Sequence, residues 1–190
     1  MKIIETEIPG VVILEPERFG DERGHFFESY SQRWFAKNVC DTVFVQDNES
    51  RSVKNVIRGL HYQLPPMAQS KLVRVISGRI LDVAVDIRQG SPTFGQHVAA
   101  ELSGEDFRQL FIPRGFAHGF AVLSKEAIVQ YKCDNPYSPE HEASFFHDDP
   151  QLRINWLVEP RKVIQSAKDN YAQKFCEAPM FDYRQNLHTK

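Results

Sequence analysis

The stretch Lys71-Leu-Val-Arg-Val-Ile-Ser-Gly-Arg-Ile-Leu-Asp-Val-Ala-Val-Asp-Ile87 falls into two blocks, with Ser77-Gly78 between them. Within each block the apolar residues recur at every second position. The positions that share one parity are Lys71, Val73 and Val75 before the glycine, and Leu81, Val83, Val85 and Ile87 after it. A period of two is typical of β-strands, because successive side chains point to opposite faces of a sheet. The two blocks therefore predict a β-hairpin that turns at Gly78.

Strand-like segments continue on both sides of this stretch, and Gly, Pro, Asn and Asp separate them at short intervals. We expect eight further strands, at residues 10–14, 24–30, 42–48, 56–63, 95–102, 108–112, 117–123 and 127–133. Ten short strands within about 125 residues are typical of a jelly roll. The sequence therefore predicts an all-β sandwich or barrel rather than alternating strands and helices.

Helix signals are few. We expect one short helix at residues 31–38, capped by Ser31, and another at 166–175, where Asp169 would occupy the third helical position. A length of 190 residues fits one domain, and the sequence contains no repeat or linker. We therefore predict a single domain over residues 1–190, with a peripheral tail at about 176–190.

Composition excludes several classes of partner. Lys and Arg number 23 against 25 for Asp and Glu, so the formal net charge is −2 and no global field recruits nucleic acid or an anionic membrane. The apolar runs are far shorter than the roughly 20 residues of a membrane span. Three cysteines without CxxC spacing favour free thiols, and the first residues lack the apolar region of a signal peptide. We expect a cytoplasmic protein that binds neither nucleic acid nor membrane.

Two polar residues occupy positions where the alternation predicts an inward side chain. His61 shares its parity with Ile57 and Gly59, and Tyr131 shares its parity with Val129. A polar group directed into an apolar interior needs a partner, because burying it unpaired costs about 1–3 kcal/mol. A single inward His or Tyr is more often a satisfied core residue, so neither position alone indicates an active site.

The two residues belong to a larger group of side chains that could serve one reaction. The group is His25, His61, His118, Tyr131, Tyr137, Arg23, Arg58 and Lys71. A histidine supplies a base with a pKa near 6.5, and a phenol supplies an acid with a pKa near 10. A lysine can stabilise an enolate, and arginines bind phosphate. The group exceeds what a core requires and predicts a site at the mouth of the barrel.

The residues of this group lie in a series of short motifs. The motifs are residues 21–28 (DERGHFFE), 58–63 (RGLHYQ), 71–78 (KLVRVISG), 82–88 (DVAVDIR), 91–95 (SPTFG), 112–120 (IPRGFAHGF), 131–132 (YK), 137–140 (YSPE) and 166–169 (SAKD). In their order and spacing these motifs resemble the dTDP-4-dehydrorhamnose 3,5-epimerase family, whose members are cupin-fold enzymes of dTDP-rhamnose and related deoxysugar biosynthesis. The resemblance runs from about residue 8 to about residue 175. It implies a cupin-type jelly roll with a few short peripheral helices.

The resemblance also implies a reaction, the epimerisation of dTDP-4-dehydro-6-deoxy-D-glucose at C3 and C5 to dTDP-4-dehydro-L-rhamnose. In this reaction His61 would be the base and Asp169 would hold its imidazole. Tyr131 would be the acid on the opposite face of the sugar, and Lys71 would stabilise the C4 enolate oxygen. The substrate-binding residues implied by the resemblance are Phe19, Arg23, Phe26, Glu28, Gln46, Asp47, Asn48, Arg58, His118, Tyr137, Glu142 and Lys168.

The resemblance implies a homodimer that exchanges an N-terminal strand, and a reaction without a cofactor. A ketone at C4 acidifies both C3 and C5, so one base and one acid suffice. Metal-binding cupins carry a HxH…E motif and a PxGxxH motif, of which only His118 has a counterpart here. Asp82, Val83 and Ala84 occupy the place of the first motif. Since one imidazole cannot hold a transition metal, we predict no catalytic metal.

The sequence leaves two alternative functions open. One is a mono-epimerase that acts at C3 or C5 only, in another deoxysugar pathway. The other is a catalytically silent module that binds sugar nucleotides. The presence of His61, Tyr131 and Asp169 argues against the silent module, whereas the sequence separates single from double epimerisation poorly.

Overall fold

The computed structural model describes residues 1–185 and 187. Its strands are β1 (Lys2–Glu5), β2 (Val12–Glu15), β3 (Arg18–Asp21), β4 (Gly24–Phe27), β5 (Gln46–Val53), β6 (Ile57–Gln63), β7 (Lys71–Ser77), β8 (Arg79–Asp86), β9 (Arg88–Gln89), β10 (His97–Ser103), β11 (Gln109–Ile112), β12 (Phe116–Val122), β13 (Glu126–Cys133), β14 (Glu142–Ser144) and β15 (Phe181–Asp182). The helical segments are α1 (Gln32–Asn38) and four single 3-10 turns at Pro139–His141, Pro160–Lys162, Asp169–Tyr171 and Phe175–Glu177. The prediction of an all-β chain is confirmed.

Two sheets form the body of the fold. The six-stranded sheet has the order β1-β2-β11-β7-β13-β5, and the five-stranded sheet has the order β10-β8-β12-β6-β14. Within the described residues, β3 and β4 pair only with each other, and β9 pairs in parallel with β15. The main core lies between the two large sheets and includes Val73, Val129, Ile80 and Phe120.

The predicted hairpin at Gly78 is wrong, although both strands exist. Strand β7 pairs with β11 and β13 in one sheet, whereas β8 pairs with β10 and β12 in the other. The chain therefore turns a corner at Gly78 and passes from one sheet to the other. Alternation alone cannot distinguish a hairpin from a corner between sheets, because it reports where side chains point along one strand and not which strand is its partner.

Gly78 is required at this corner. Its φ is +84°, and a Cβ atom there would lie 2.1 Å from the carbonyl oxygen of Glu126 and 2.9 Å from the Cα of Ala127. We expect Gly78→Ala to lower the free energy of unfolding by about 3 kcal/mol or more, since it adds a backbone clash to a positive φ. Gly24→Ala is the control, because Gly24 has φ +130° but nothing within 4 Å of the added atom. It should cost only about 1–2 kcal/mol, and equal losses in urea unfolding would contradict the assignment of the clash.

The outer faces of both sheets are covered. Helix α1 packs Phe35 against Leu14, Leu72 and Phe111 on the six-stranded sheet. The C-terminal half of the chain covers the five-stranded sheet with large apolar side chains. These side chains are Phe145, Leu152, Trp156, Phe175, Ala178 and Phe181. This arrangement explains why both parities of β8 are apolar. Among the described residues, no helix is long and apolar enough to cross a membrane.

Two local predictions fail in informative ways. Residues 42–45 are not a strand, and β5 begins at Gln46. The predicted helix at 166–175 is reduced to a single 3-10 turn at Asp169–Tyr171. There the Ser166 hydroxyl donates to the Asp169 carboxylate and accepts from the Asp169 amide, so the apparent cap fixes a side chain instead of starting a helix. By contrast, α1 begins after Ser31, as predicted.

Candidate active site

A cavity of about 220 Å³ opens between the two sheets. The residues that line it come from β5, β6, β7, β13 and β14 and from two loops. They are Gln46, Asn48, His61, Tyr62, Gln63, Gln69, Lys71, Tyr131, Tyr137 and Glu142. The cavity thus brings together His61, Tyr131 and Lys71, which the sequence assigned to one reaction.

A larger cavity, of about 770 Å³, lies on the outer side of the five-stranded sheet. It is lined mainly by residues 147–165, and none of the four predicted catalytic residues lines it. Size alone is a poor guide here, since a reaction needs a base and an acid in one place. We therefore place the candidate site in the smaller cavity.

His61 is paired with a buried carboxylate. Its Nε2 lies 2.5 Å from Oδ1 of Asp169, and the Ser166 hydroxyl donates to the other oxygen of Asp169 at 2.8 Å. Burial by itself would raise the pKa of Asp169, but the hydrogen bonds from His61 and Ser166 outweigh it and hold the pKa below its usual value. Asp169 therefore stays ionised and keeps the imidazole proton on Nε2. Nδ1 of His61 makes no hydrogen bond within the described residues, so it is free to accept a proton.

His61 faces the cavity for a different reason from the one predicted. Ile57 packs on the outer face of the sheet, although it shares its sequence parity with His61. The pairing of β6 with β12 shifts from His118↔His61 to Phe120↔Arg58, so β6 carries one extra residue and its faces exchange. The bulge lies at Gly59, where φ is +121° and a Cβ atom would lie 2.5 Å from the Cα of Gly119.

Tyr131 enters the cavity from the six-stranded sheet, because β13 alternates regularly and directs Val129 and Tyr131 to the same side. Lys71, on the neighbouring strand β7, places its Nζ 5.8 Å from the centre of the Tyr131 ring. Burial raises the pKa of Tyr131, which keeps the phenol protonated, and it lowers the pKa of Lys71. The Lys71 ammonium makes no hydrogen bond or ion pair within residues 1–185.

His118 is buried beside this group. It lies directly across the sheet from His61, and its ring centre is 6.4 Å from that of Tyr131, in an edge-on arrangement. Its Nε2 lies 2.7 Å from Oδ1 of Asp82. In the part of the chain that the structure describes, no group of three or more His, Cys, Asp or Glu side chains could hold a metal ion.

Three predicted binding residues meet at the mouth of the cavity. The carboxylate of Glu142 accepts a hydrogen bond from the Tyr137 hydroxyl at 2.7 Å and pairs with the Lys168 ammonium. Burial would raise the pKa of Glu142, yet the bonds from Lys168 and Tyr137 lower it overall. The Tyr137 ring is half exposed, so one of its faces is available to a flat ligand.

The run Gln46-Asp47-Asn48 is divided by the alternation of β5. Gln46 and Asn48 line the cavity and are joined by a hydrogen bond of 2.9 Å. Asp47 points to the other face, where both of its oxygens accept hydrogen bonds from Lys132. Arg58 is not among the residues that line the cavity, and its Nε donates to the Ser52 hydroxyl at 2.9 Å.

Four predicted residues are not near the cavity in this single chain. Phe19, Arg23 and Phe26 belong to the β3–β4 hairpin, whose own concave face they line, and Glu28 follows it in the chain. Both aromatic rings are largely exposed, at 59% and 72%. Arg23 pairs only with Asp21 of the same hairpin.

Several residues of the site were missed by the sequence reasoning. Gln63 and Gln69 line the cavity, Ser166 holds Asp169, and Asp82 holds His118. A signal for Asp82 was present, because it shares its parity with Ile80 and Ala84 on an inward apolar face. Gln63 carried no such signal, since its role depends on a loop that returns to the end of β6.

A sequence model of the dTDP-4-dehydrorhamnose 3,5-epimerase family matches residues 5–177 of this chain. The chain belongs to this family. Among dTDP-4-dehydrorhamnose 3,5-epimerases, the one from Salmonella typhimurium is 56% identical over 96% of each chain. The one from Shigella flexneri is 53% identical over 95% of this chain and 99% of the relative.

Similarity to solved structures supports membership of the same family. The crystal structure of the dTDP-6-deoxy-D-glucose-3,5-epimerase of Legionella pneumophila, in complex with dTDP-4-keto-L-rhamnose, superposes with a TM-score of 0.93. It is 48% identical in sequence and covers 97% of this chain and 99% of its own. The family recognised from the motifs and the cupin-type jelly roll are thereby confirmed.

Proposed function

We propose that this protein epimerises dTDP-4-dehydro-6-deoxy-D-glucose at C3 and C5 to give dTDP-4-dehydro-L-rhamnose, without a cofactor. One observation carries the proposal. His61 on β6 and Tyr131 on β13 reach the same cavity from opposite sheets. A sugar ring held between the sheets would meet a base on one face and an acid on the other, and inversion of a carbon centre requires this arrangement.

In the first step, Nδ1 of His61 removes the proton from the carbon next to the C4 ketone. Asp169 supports this step because its ionised carboxylate lies 2.5 Å from Nε2 and stabilises the imidazolium that forms. Its second oxygen is held by Ser166, so the imidazole has a fixed orientation.

The electron pair left on carbon is delocalised onto the C4 oxygen as an enolate. Lys71 is the residue that stabilises this charge, because its ammonium lines the cavity and is not engaged by another described group. An ammonium shielded from bulk water stabilises a developing oxyanion more strongly than it would in water. This interaction strengthens as the enolate forms, which makes it catalytic rather than merely binding.

In the second step, the Tyr131 hydroxyl returns a proton to the opposite face of the same carbon. The raised pKa of Tyr131 keeps it protonated at neutral pH. The same sequence of steps at the other carbon next to the ketone completes the double inversion, because the ketone acidifies C3 and C5 alike. Neither a hydride carrier nor a metal ion takes part.

The nucleotide is bound at the mouth of the cavity. We assign Tyr137 to stacking on the thymine, and Glu142 and Lys168 to polar contacts beside it. Gln46, Asn48 and His118 contact the sugar, and Arg58 contacts the diphosphate, for which a guanidinium is suited. Asp47 contributes indirectly, since it is paired with Lys132 on the other face of β5.

The β3–β4 hairpin supports the homodimer that exchanges an N-terminal strand. Within the described part of the chain its two strands pair with no other strand, and nearly all of their residues are exposed. Phe19, Arg23, Phe26 and Glu28 would complete the nucleotide site of the partner subunit. A mass of one chain, 21.9 kDa, in sedimentation equilibrium at micromolar concentration would contradict this assembly.

We also propose that residues 1–190 form a single domain that acts in the cytoplasm. The shared core between the two sheets supports the first statement. The three cysteines support the second, because all of them are unpaired thiols. Limited proteolysis that released a stable fragment from the folded chain would contradict the single domain, and recovery of the protein outside the cytoplasmic fraction of its source cells would contradict the compartment.

Incubation of the protein with dTDP-4-dehydro-6-deoxy-D-glucose in deuterated water tests the function. We expect the product to carry deuterium at both C3 and C5, because each centre receives a solvent-derived proton from Tyr131. Mass spectrometry and proton NMR of the product measure the label at each carbon. Label at one carbon would establish a mono-epimerase, and absence of label at both would leave only the silent binding module.

A further inference from the structure

Asp82 is a fully buried carboxylate on the inner face of β8, between Ile80 and Ala84 of the core. Its Oδ1 accepts a hydrogen bond from Nε2 of His118 at 2.7 Å. Its Oδ2 is buried and has no partner among the described residues. Because a buried carboxylate is costly unless it is well paired, its presence here calls for an explanation.

Two other buried aspartates have a different environment. Asp86, also on β8, accepts hydrogen bonds from Arg88, Ser91 and Thr93 through both oxygens. Asp134 is likewise saturated through both of its oxygens, by groups that include the Arg114 guanidinium. Those two carboxylates hold loops in place. Among the described residues Asp82 is hydrogen-bonded to one imidazole and forms no ion pair with Lys or Arg, so it does not hold a loop as those two do.

The imidazole that Asp82 holds lies beside the candidate active site. His118 and His61 are directly opposite each other on neighbouring strands, and the Nε2 atom of each lies within hydrogen-bond distance of an aspartate. The His118 ring also meets the Tyr131 ring edge-on. Nδ1 of His118 makes no hydrogen bond within the described residues.

The charge state of His118 follows from its surroundings. Burial lowers its pKa, and this effect outweighs the opposing influence of Asp82; the nearby Lys71 lowers the pKa further. A neutral imidazole with its proton on Nε2 has a lone pair on Nδ1 and acts there only as an acceptor. Lys71 offers only donors, so the two side chains are complementary.

We propose that Asp82 is a positioning residue that fixes the tautomer of His118, so that Nδ1 accepts a hydrogen bond from a hydroxyl group of the bound sugar. This inference rests on the epimerase function proposed above. Lys71 binds the ketone oxygen, while His118 binds a neighbouring hydroxyl. These two hydrogen bonds hold the sugar in one orientation between His61 and Tyr131.

The tautomer can be measured directly by nitrogen-15 NMR of the imidazole rings in the full-length protein without substrate. We expect His118 to be in the Nε2–H form in the wild-type protein. In Asp82→Asn, the new amide group can donate to Nε2, so the ring should shift toward the Nδ1–H form. Asp82→Ala should give a mixture of the two forms.

Turnover and nucleotide binding provide the second measurement. For Asp82→Asn we expect kcat/KM to fall about tenfold or more, the equivalent of one misdirected hydrogen bond. The Kd for dTDP, which lacks the deoxysugar, should stay within about twofold. Asp86→Asn is the matched control, since it removes a buried charge from the same strand. It should lower the melting temperature and leave the His118 resonances and kcat/KM unchanged.

Three outcomes would overturn the proposal. The first is an Nδ1–H ring in the wild-type protein, which needs no variant to fold. The second is an unchanged tautomer in Asp82→Asn, and the third is a changed tautomer with full turnover. If the wild-type protein itself placed no deuterium on the substrate, the epimerase function would fail, while the NMR comparison would still decide the role of Asp82.

Discussion

His61→Ala is expected to lower kcat by about three orders of magnitude, within the 10²–10⁴-fold contribution of a positioned general base. The reason is geometric, since His61 lines the cavity and its Nε2 is held by the buried, ionised carboxylate of Asp169, which leaves Nδ1 to accept the proton. Exchange of the substrate protons with deuterated water should stop together with product formation. Proton NMR of the recovered sugar nucleotide measures both.

Binding separates this result from a loss of structure. The Kd of dTDP should remain within about tenfold of the wild-type value, because the nucleotide is assigned to Tyr137, Arg58 and the hairpin of the partner subunit. His97→Ala is the matched control, since it removes a partly buried histidine from the edge strand β10, away from the cavity. A collapse of dTDP binding in His61→Ala would show that our division between catalysis and binding is wrong.

The fold was predictable where the chain alternates locally, and less so where topology decides. Nearly every predicted strand exists, because alternation reports the pleat of a single strand. The partner of a strand is a different matter. Lys71 to Ile87 reads as a hairpin, yet the glycine between its blocks turns a corner between sheets. What decides this is the packing of Glu126 and Ala127 against Gly78, from a strand almost 50 residues further along the chain.

The site shows the same division. Tyr131 faces inward for the predicted reason, whereas His61 does so because a bulge at Gly59 reverses the parity of β6. No local sequence pattern predicts this bulge, because the bulge depends on the close approach of Gly119 on the neighbouring strand. The hairpin residues Phe19 and Arg23 are a further case, because a single chain does not bring them to the cavity. Only the motif resemblance assigns these two positions to the site, because periodicity gives no indication of it.

The cavity resolves the apparent conflict between an acidic chain and an anionic ligand. The net charge is −2, yet Lys71 carries positive charge in the cavity, Arg58 acts on the nearby Tyr131, and Lys168 carries positive charge at the mouth. The local field, rather than the average, determines what binds.

Tyr131→Phe is expected to separate two events that His61→Ala stops together. Without the phenol, His61 can still remove a proton and return a solvent-derived one to the same face, so the recovered substrate should gain deuterium. Inversion needs the acid on the opposite face, so product formation should fall about 10²–10³-fold. The ratio of label in substrate to label in product should therefore rise sharply.

Tyr30→Phe is the matched control for this experiment. The Tyr30 hydroxyl is bonded to Gln32 on the outer face of the six-stranded sheet, so its loss should leave the ratio unchanged. Since burial raises the pKa of Tyr131 above its ordinary value of 10.0, loss of turnover through ionisation of this phenol should set in at a higher pH than for an exposed tyrosine. If Tyr131→Phe lost exchange and product formation in equal measure, the phenol would act in the first step, and the assignment of His61 as the sole base would have to be abandoned.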